Sequence, residues 1–270
     1  MLPAFLLSLR EGLEMALIIG IVIGMLRKIQ RSELNRQVWM GVFSAALASL
    51  LVAFLLQSLG ASLSSPYEEL FEGVMMLVAA AVLTWMIFWM QRQSRFMKSN
   101  LEADVRQAQQ AGGMAVFGLA FVAVLREGVE LAIFFTAASL SAGQGSAILG
   151  ALAGLAAAAL LGWGLFASTI RLNLRGFFNL TSLLLILFAA GLAAHGIHEF
   201  IEIGLFPALI EPVWNTSPFL PEDSQPGVLL KTLFGYNDQP ALSEVLVYLA
   251  YFLAIAIGLR RNQAALPKTT

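Results

Sequence analysis

The stretch Leu9–Ile19 reads LREGLEMALII, and Leu125–Phe135 reads LREGVELAIFF. Each places one arginine and two glutamates, in the order Arg-Glu-Gly-x-Glu, inside an otherwise apolar run. Such runs recur along the chain at lengths of roughly 20 residues, which a helix needs to cross the hydrocarbon core of a bilayer. A charge facing lipid there costs at least about 2.5 kcal/mol. The charged faces must therefore point into a helix bundle or toward water. On a helix Glu11 and Glu14 share a face, and Arg10 meets Glu14 one turn on. The same holds for Glu127, Glu130 and Arg126.

Composition places the chain in the same class. Of its 270 residues 59% are hydrophobic and 12% charged, where a soluble domain carries about 25% charged residues. The fold class is an all-α integral membrane protein, forming one membrane domain over 1–270. A net charge of −1 with no basic block gives no footprint for nucleic acid. The chain has no cysteine, which excludes disulfides and thiolate metal sites. The start, MLPAFLLSLRE, lacks a basic leader and a small-residue cleavage site, so it reads as a retained first helix.

Seven apolar segments are predicted, at about 3–26, 38–60, 70–90, 114–139, 146–168, 177–200 and 242–259. Between 201 and 240 stand prolines 207, 212, 218, 221, 226 and 240, which predict an irregular loop outside the membrane. Basic residues set the orientation. Arg27, Lys28, Arg31, Arg36, Arg92, Arg95, Lys98, Arg106, Arg171, Arg175, Arg260, Arg261 and Lys268 fall on one side. Lys231 stands on the other, with ten acids on or near it: Glu68, Glu69, Glu72, Glu199, Glu202, Glu211, Glu222, Asp223, Asp238 and Glu244. The N-terminus should thus face out and the C-terminus the cytoplasm. The acidic outer face attracts cations, or is the plain complement of the basic inner one.

The two motifs lie in the first and fourth segments, so the copies cross the membrane in opposite directions. GVFSAALASLLVAF in the second segment and GSAILGALAGLAAAAL in the fifth are both rich in small residues. We expect inverted three-helix repeats, helices 1–3 (about 1–95) and 4–6 (about 112–202), with the outer loop 201–240 and helix 7 (about 242–259) added. Inverted repeats are a recurring transporter architecture, with the site near the midplane between halves.

Facing motifs would bring Glu11, Glu14, Glu127 and Glu130 together with Arg10 and Arg126. Carboxylates are hard ligands suited to hard cations. Gly12 and Gly128 would leave room for a backbone or an ion. Alternatively, each Arg–Glu pair fixes helix packing alone. His195, His198, Glu199 and Glu202 form one helical stripe at the end of the sixth segment. It reads as a metal-receiving site at the outer edge or as a solvated helix end. Glu72, followed by Gly73, is a further candidate ligand. Met75, Met76, Met86 and Met90 read as packing or lipid-facing residues.

A doubled Arg-Glu-x-x-Glu on helices one and four of seven, with the N-terminus outside, resembles the oxidase-dependent iron permease family, whose branches are the fungal Ftr-type and the bacterial EfeU-type permeases. The resemblance spans Leu2 to about Arg261, and the compact length is similar to the bacterial branch. It implies multi-pass residence in the bacterial inner membrane and uptake of iron as Fe(III), with Fe(II) as the other form. Iron is then a transported substrate, and no permanent cofactor is expected. In the family the motif glutamates handle iron, here Glu11, Glu14, Glu127 and Glu130, partnered by Arg10 and Arg126; Glu72-Gly73 also looks like a family feature. The resemblance further implies periplasmic partners that oxidise or deliver iron, a cupredoxin-like protein and a haem peroxidase. Beyond iron and the lipid bilayer the sequence itself names no partner, and it leaves a homo-oligomer open. Two rival readings stand beside this one. One is a permease for another cation such as Mn(II) or Pb(II). The other is a membrane di-iron carboxylate enzyme, which needs Glu-x-x-His on two helices and finds neither histidine so placed.

Overall fold

The computed structural model describes residues 1–93, 97–167 and 174–264. Among the described residues there are nine α-helices and no strand. They are α1 (Leu2–Lys28), α2 (Asn35–Ser62), α3 (Tyr67–Gln93), α4 (Met97–Ala111), α5 (Gly113–Ala142), α6 (Gln144–Ala167), α7 (Leu174–Glu202), α8 (Gln225–Phe234) and α9 (Leu242–Ala264). The seven apolar segments correspond to α1, α2, α3, α5, α6, α7 and α9. Five of these, α2, α3, α6, α7 and α9, are long and apolar enough to cross a membrane, so the chain is a multi-pass membrane protein. The other two, α1 and α5, run 27 and 30 residues and hold the motif charges. Arg95, Arg171 and Lys268, counted above on the basic side, lie outside the described residues.

The three most extensive helix pairs are α1 with α6, α2 with α5, and α3 with α7. Small residues make the first two possible. Gly150, Gly154, Ala158 and Gly162 of α6 meet Met1, Phe5, Gly12 and Ala16 of α1 in that order, so the pair runs parallel. Likewise Gly41, Ser49 and Gln57 of α2 meet Phe117, Gly128 and Ser139 of α5, again in parallel. The third pair crosses where Gly73 and Gly196 touch backbone to backbone: a Cβ on Gly73 would stand 2.9 Å from the Gly196 carbonyl oxygen. Two junctions are a single residue long. Gly112 between α4 and α5 has φ +107°, and Gly143 between α5 and α6 has φ +80°. Both lie in the left-handed half of backbone space that glycine enters without steric cost.

Two apolar clusters stand on either side of the motifs. One joins Ala4 and Leu7 of α1 to Met76, Leu83 and Met86 of α3, Phe134 of α5 and Leu185 of α7. The other joins Val22, Met25 and Leu26 of α1 to Val38 of α2, Val105 of α4 and Val116 of α5. Residues 10–14 of α1 and 126–130 of α5 lie between them.

Two helices depart from expectation. The connection after α3 holds the amphipathic α4, whose Val105 is buried against α1 and α5. The proline-rich span 201–240 is not irregular throughout, because it holds α8. Pro226 sits in the first turn of that helix, where a missing N–H costs nothing. Ser224 caps it, accepting from the Gly227 N–H at 3.1 Å. Nor does α8 stand clear of the bundle. It contacts α7, α5 and α1, and Gly235 at its end abuts Gly191 in mid-α7.

Candidate metal centre

The site is built by α1 and α5, with α3 beside them. Glu11, Glu14 and Glu127 each offer a carboxylate oxygen, and the three oxygens lie within 4.8 Å of one another. All three are buried, at 0%, 4% and 3% exposure. The sequence placed Glu130 in the same group. In the structure it stands at the margin, buried but bound to Arg126. Both oxygens of Glu11, Oε2 of Glu127 and Oε2 of Glu130 are buried with no hydrogen-bond partner. Buried carboxylate oxygens without donors are costly, and Glu11, Glu14 and Glu127 are so placed that together they could hold a metal ion.

The i,i+4 pairs form as the spacing predicts. Arg10 Nε donates to Glu14 Oε1 at 3.3 Å, and Arg126 Nε donates to Glu130 Oε1 at 3.1 Å. Arg126 Nε also lies 3.9 Å from Glu127 Oε1. The two arginines differ in setting. Arg10 is fully enclosed, while the Arg126 side chain is 34% exposed. Residues of α3 attend both. Arg10 Nη2 donates to Met90 Sδ at 2.6 Å. The Arg126 guanidinium lies over Trp89, 4.1 Å from the ring centroid, with Trp85 at 5.9 Å. In the sequence Met90 reads as a packing or lipid-facing residue, and the two tryptophans carry no signal. An apolar residue in an apolar helix offers no contrast by which sequence could find it.

Of the two uses expected for the room at the motif glycines, a neighbouring helix or an ion, a neighbouring helix takes it. A Cβ on Gly12 would stand 2.6 Å from Ala158 Cβ of α6, and one on Gly128 would stand 2.0 Å from Ser49 Oγ of α2. Each glycine lets a partner helix press against one side of the motif helix, while the glutamates occupy the other.

The outer residues form a separate group. Glu72 and Met90 are eighteen residues apart on α3, about 27 Å at 1.5 Å per residue, and Met90 touches Arg10. The Gly73–Gly196 crossing brings Glu72 close to the α7 stripe. Within that stripe His198 is already engaged, with Nδ1 2.9 Å from Glu244 Oε1 of α9 and Nε2 3.3 Å from Glu202 Oε1. His195 lines a small cleft with Lys231 of α8 and Gly191. Glu199 is 9% exposed, and no side-chain partner for it is found among the described residues. Of the other outer acids, Glu222 pairs with Lys231, and Asp238 accepts from the Glu222 N–H at 3.1 Å.

Comparison with known proteins decides the kinship. The model of the iron permease FTR1 family matches residues 1–262. The chain belongs to the iron permease FTR1 family. Among curated members, the ferrous iron permease EfeU of Escherichia coli O6:K15:H31 (strain 536 / UPEC) is 40% identical over 262 residues, covering 96% of this chain and 95% of that one. The ferrous iron permease EfeU of Yersinia pestis is 36% identical over 261 residues, covering 95% and 92%. No solved structure matches the chain. The FTR1 family relatives are permeases and not enzymes, so the di-iron enzyme reading falls away.

Proposed function

We propose that this FTR1 family member imports iron across the bacterial cytoplasmic membrane, and that Glu11, Glu14 and Glu127 are its central ion ligands, with Glu130 as a fourth. The observation that carries the reading is the buried three-carboxylate cluster with unpartnered oxygens. Four carboxylates and two guanidiniums leave two negative charges when all are ionised, which one Fe(II) neutralises. That balance, together with the printed names of the relatives, favours the ferrous ion over Fe(III) at this site.

The surrounding architecture supports the same reading. Exchanging α1 with α5, α2 with α6 and α3 with α7 maps the α1–α6 pair onto α5–α2 and returns α3–α7 to itself. The observed pairs have that symmetry, which supports seven crossings arranged as two inverted repeats plus α9. The basic residues orient the N-terminus outward. On the outer side Glu72, Glu199 and Glu202, with His195 near them, gather the ion before it reaches the centre, while His198 ties α7 to α9. Periplasmic proteins that oxidise or deliver iron would meet this face.

The test is radioactive iron uptake into proteoliposomes by wild type, Glu11→Gln and Glu127→Gln. Iron is supplied as Fe(II) under reductant and, separately, as chelated Fe(III), with Mn(II) as competitor. Wild type should load Fe(II), and both variants should be silent while remaining folded. Normal uptake by both variants would return the motifs to a packing role.

A further inference from the structure

Each motif guanidinium is shared between a carboxylate and an uncharged group supplied by α3. Arg10 reaches Glu14 with Nε and Met90 Sδ with Nη2; Arg126 reaches Glu130 with Nε and lies on the face of Trp89. Arg10 Nη1 and Arg126 Nη2 have no hydrogen-bond partner. We propose that Trp89 is a positioning residue for transport: it holds Arg126 clear of Glu127 and Glu130 while an ion occupies the carboxylates. The proposal rests on those carboxylates being the ion site.

The argument is electrostatic and geometric. A cation arriving at Glu127 competes with Arg126 for the same oxygens and repels its guanidinium. An anionic resting place for the arginine would also attract the ion. A neutral π face holds the guanidinium without competing for the metal, and a cation–π contact gains strength where water is excluded. Trp85 lies one turn before Trp89 on α3, with its ring 5.9 Å from the guanidinium and 57% exposed. The two rings form a short track along which the arginine can move off Glu130. Arg10 has no such freedom. It is fully enclosed, and Met90 is a single acceptor for it. The two motifs are thus alike in sequence and unlike in mobility, with Arg126 the movable cation and Arg10 the fixed one.

The experiment uses the full chain in proteoliposomes, with Fe(II) uptake measured against concentration and rates normalised to folded protein. Variants are Trp89→Leu, Trp89→Phe, Arg126→Gln, the double variant Trp89→Leu/Arg126→Gln, and Glu11→Gln. Without the ring Arg126 stays on the carboxylates, so Trp89→Leu should raise the half-saturating Fe(II) concentration about tenfold, the size of a partly exposed cation–π contact, between the exposed and desolvated limits. Its maximal rate should change by less than about twofold, since an interaction that sets ion binding alone moves the apparent KM and leaves kcat. Trp89→Phe, which keeps a smaller ring, should recover most of the loss, and it also serves if the leucine variant does not fold. In the Arg126→Gln background, Trp89→Leu should have no further effect, because the ring acts through the arginine. An unchanged half-saturation in Trp89→Leu overturns the proposal, as does a Trp89→Leu effect that persists without Arg126. If Glu11→Gln is silent while the Trp89 variants behave as wild type, this proposal fails and the ion site stands. If Glu11→Gln takes up iron normally, both fail.

Discussion

Arg10 and Arg126 hold equivalent places in their motifs, yet replacing them should not be equivalent. Arg10→Gln removes the one cation hydrogen-bonded to buried Glu14, and breaking an enclosed pair in this way costs about 3–5 kcal/mol. Arg126 is 34% exposed, so its loss is screened and should cost markedly less. Thermal unfolding in detergent checks the order: a larger fall in melting temperature for Arg10→Gln is expected, and equal falls would contradict it. At this scale the sequence was most legible where polarity contrasts with its surroundings. Glutamates in an apolar run stand out, and their helical spacing fixes which can meet. The same contrast hides Met90, Trp85 and Trp89. Their chemistry comes from which helix turns toward the arginines, and that depends on packing between distant segments. His198 was legible as part of a stripe, but its bond to Glu244 joins α7 to a helix forty residues onward.

At the scale of elements, glycine decides how closely the motif helices are held. A Cβ at position 128 meets Ser49, so Gly128→Ala should destabilise by about 1–3 kcal/mol, the range for overfilling a close contact. Adding Ser49→Gly removes the obstructing atoms and should restore much of that loss in the same unfolding assay. The outer residues call for a different readout. Glu199 has no side-chain partner among the described residues, so Glu199→Gln should leave stability almost unchanged and raise the iron concentration needed for half-maximal uptake. Were uptake unaltered, the acids above the α3–α7 crossing would be bystanders. The long helices were readable from apolar runs of membrane length. The loop signal between 201 and 240 concealed α8, because six prolines outweigh one ten-residue helix. In the first turn, where Pro226 sits, proline is compatible with a helix.

For the whole molecule, the proposed site raises the question of how an ion held by several carboxylates would be released. Protonating those carboxylates removes the charge that binds the ion. Proton entry along an inward gradient would therefore drive release. Collapsing the pH gradient across proteoliposomes should lower iron uptake at constant external pH. Uptake indifferent to the gradient would leave helix movement alone to empty the site. The apolar clusters around Leu7 and Val22 stand on either side of the motifs, so an ion moving through the proposed centre would need the helices to part there.

The pairing of α1 with α6 and of α2 with α5 also bears on how the chain is made. When α1 leaves the ribosome it carries Arg10, Glu11 and Glu14 into the bilayer. The helices that cover them begin at Gly113 and Gln144. Neither half is a finished object, because each keeps its largest contacts in the other. The first three helices therefore lack their main packing partners until the second set arrives. A chain cut before α5 should be degraded, whereas residues 1–111 and 112–270 co-expressed as two polypeptides should find each other and assemble.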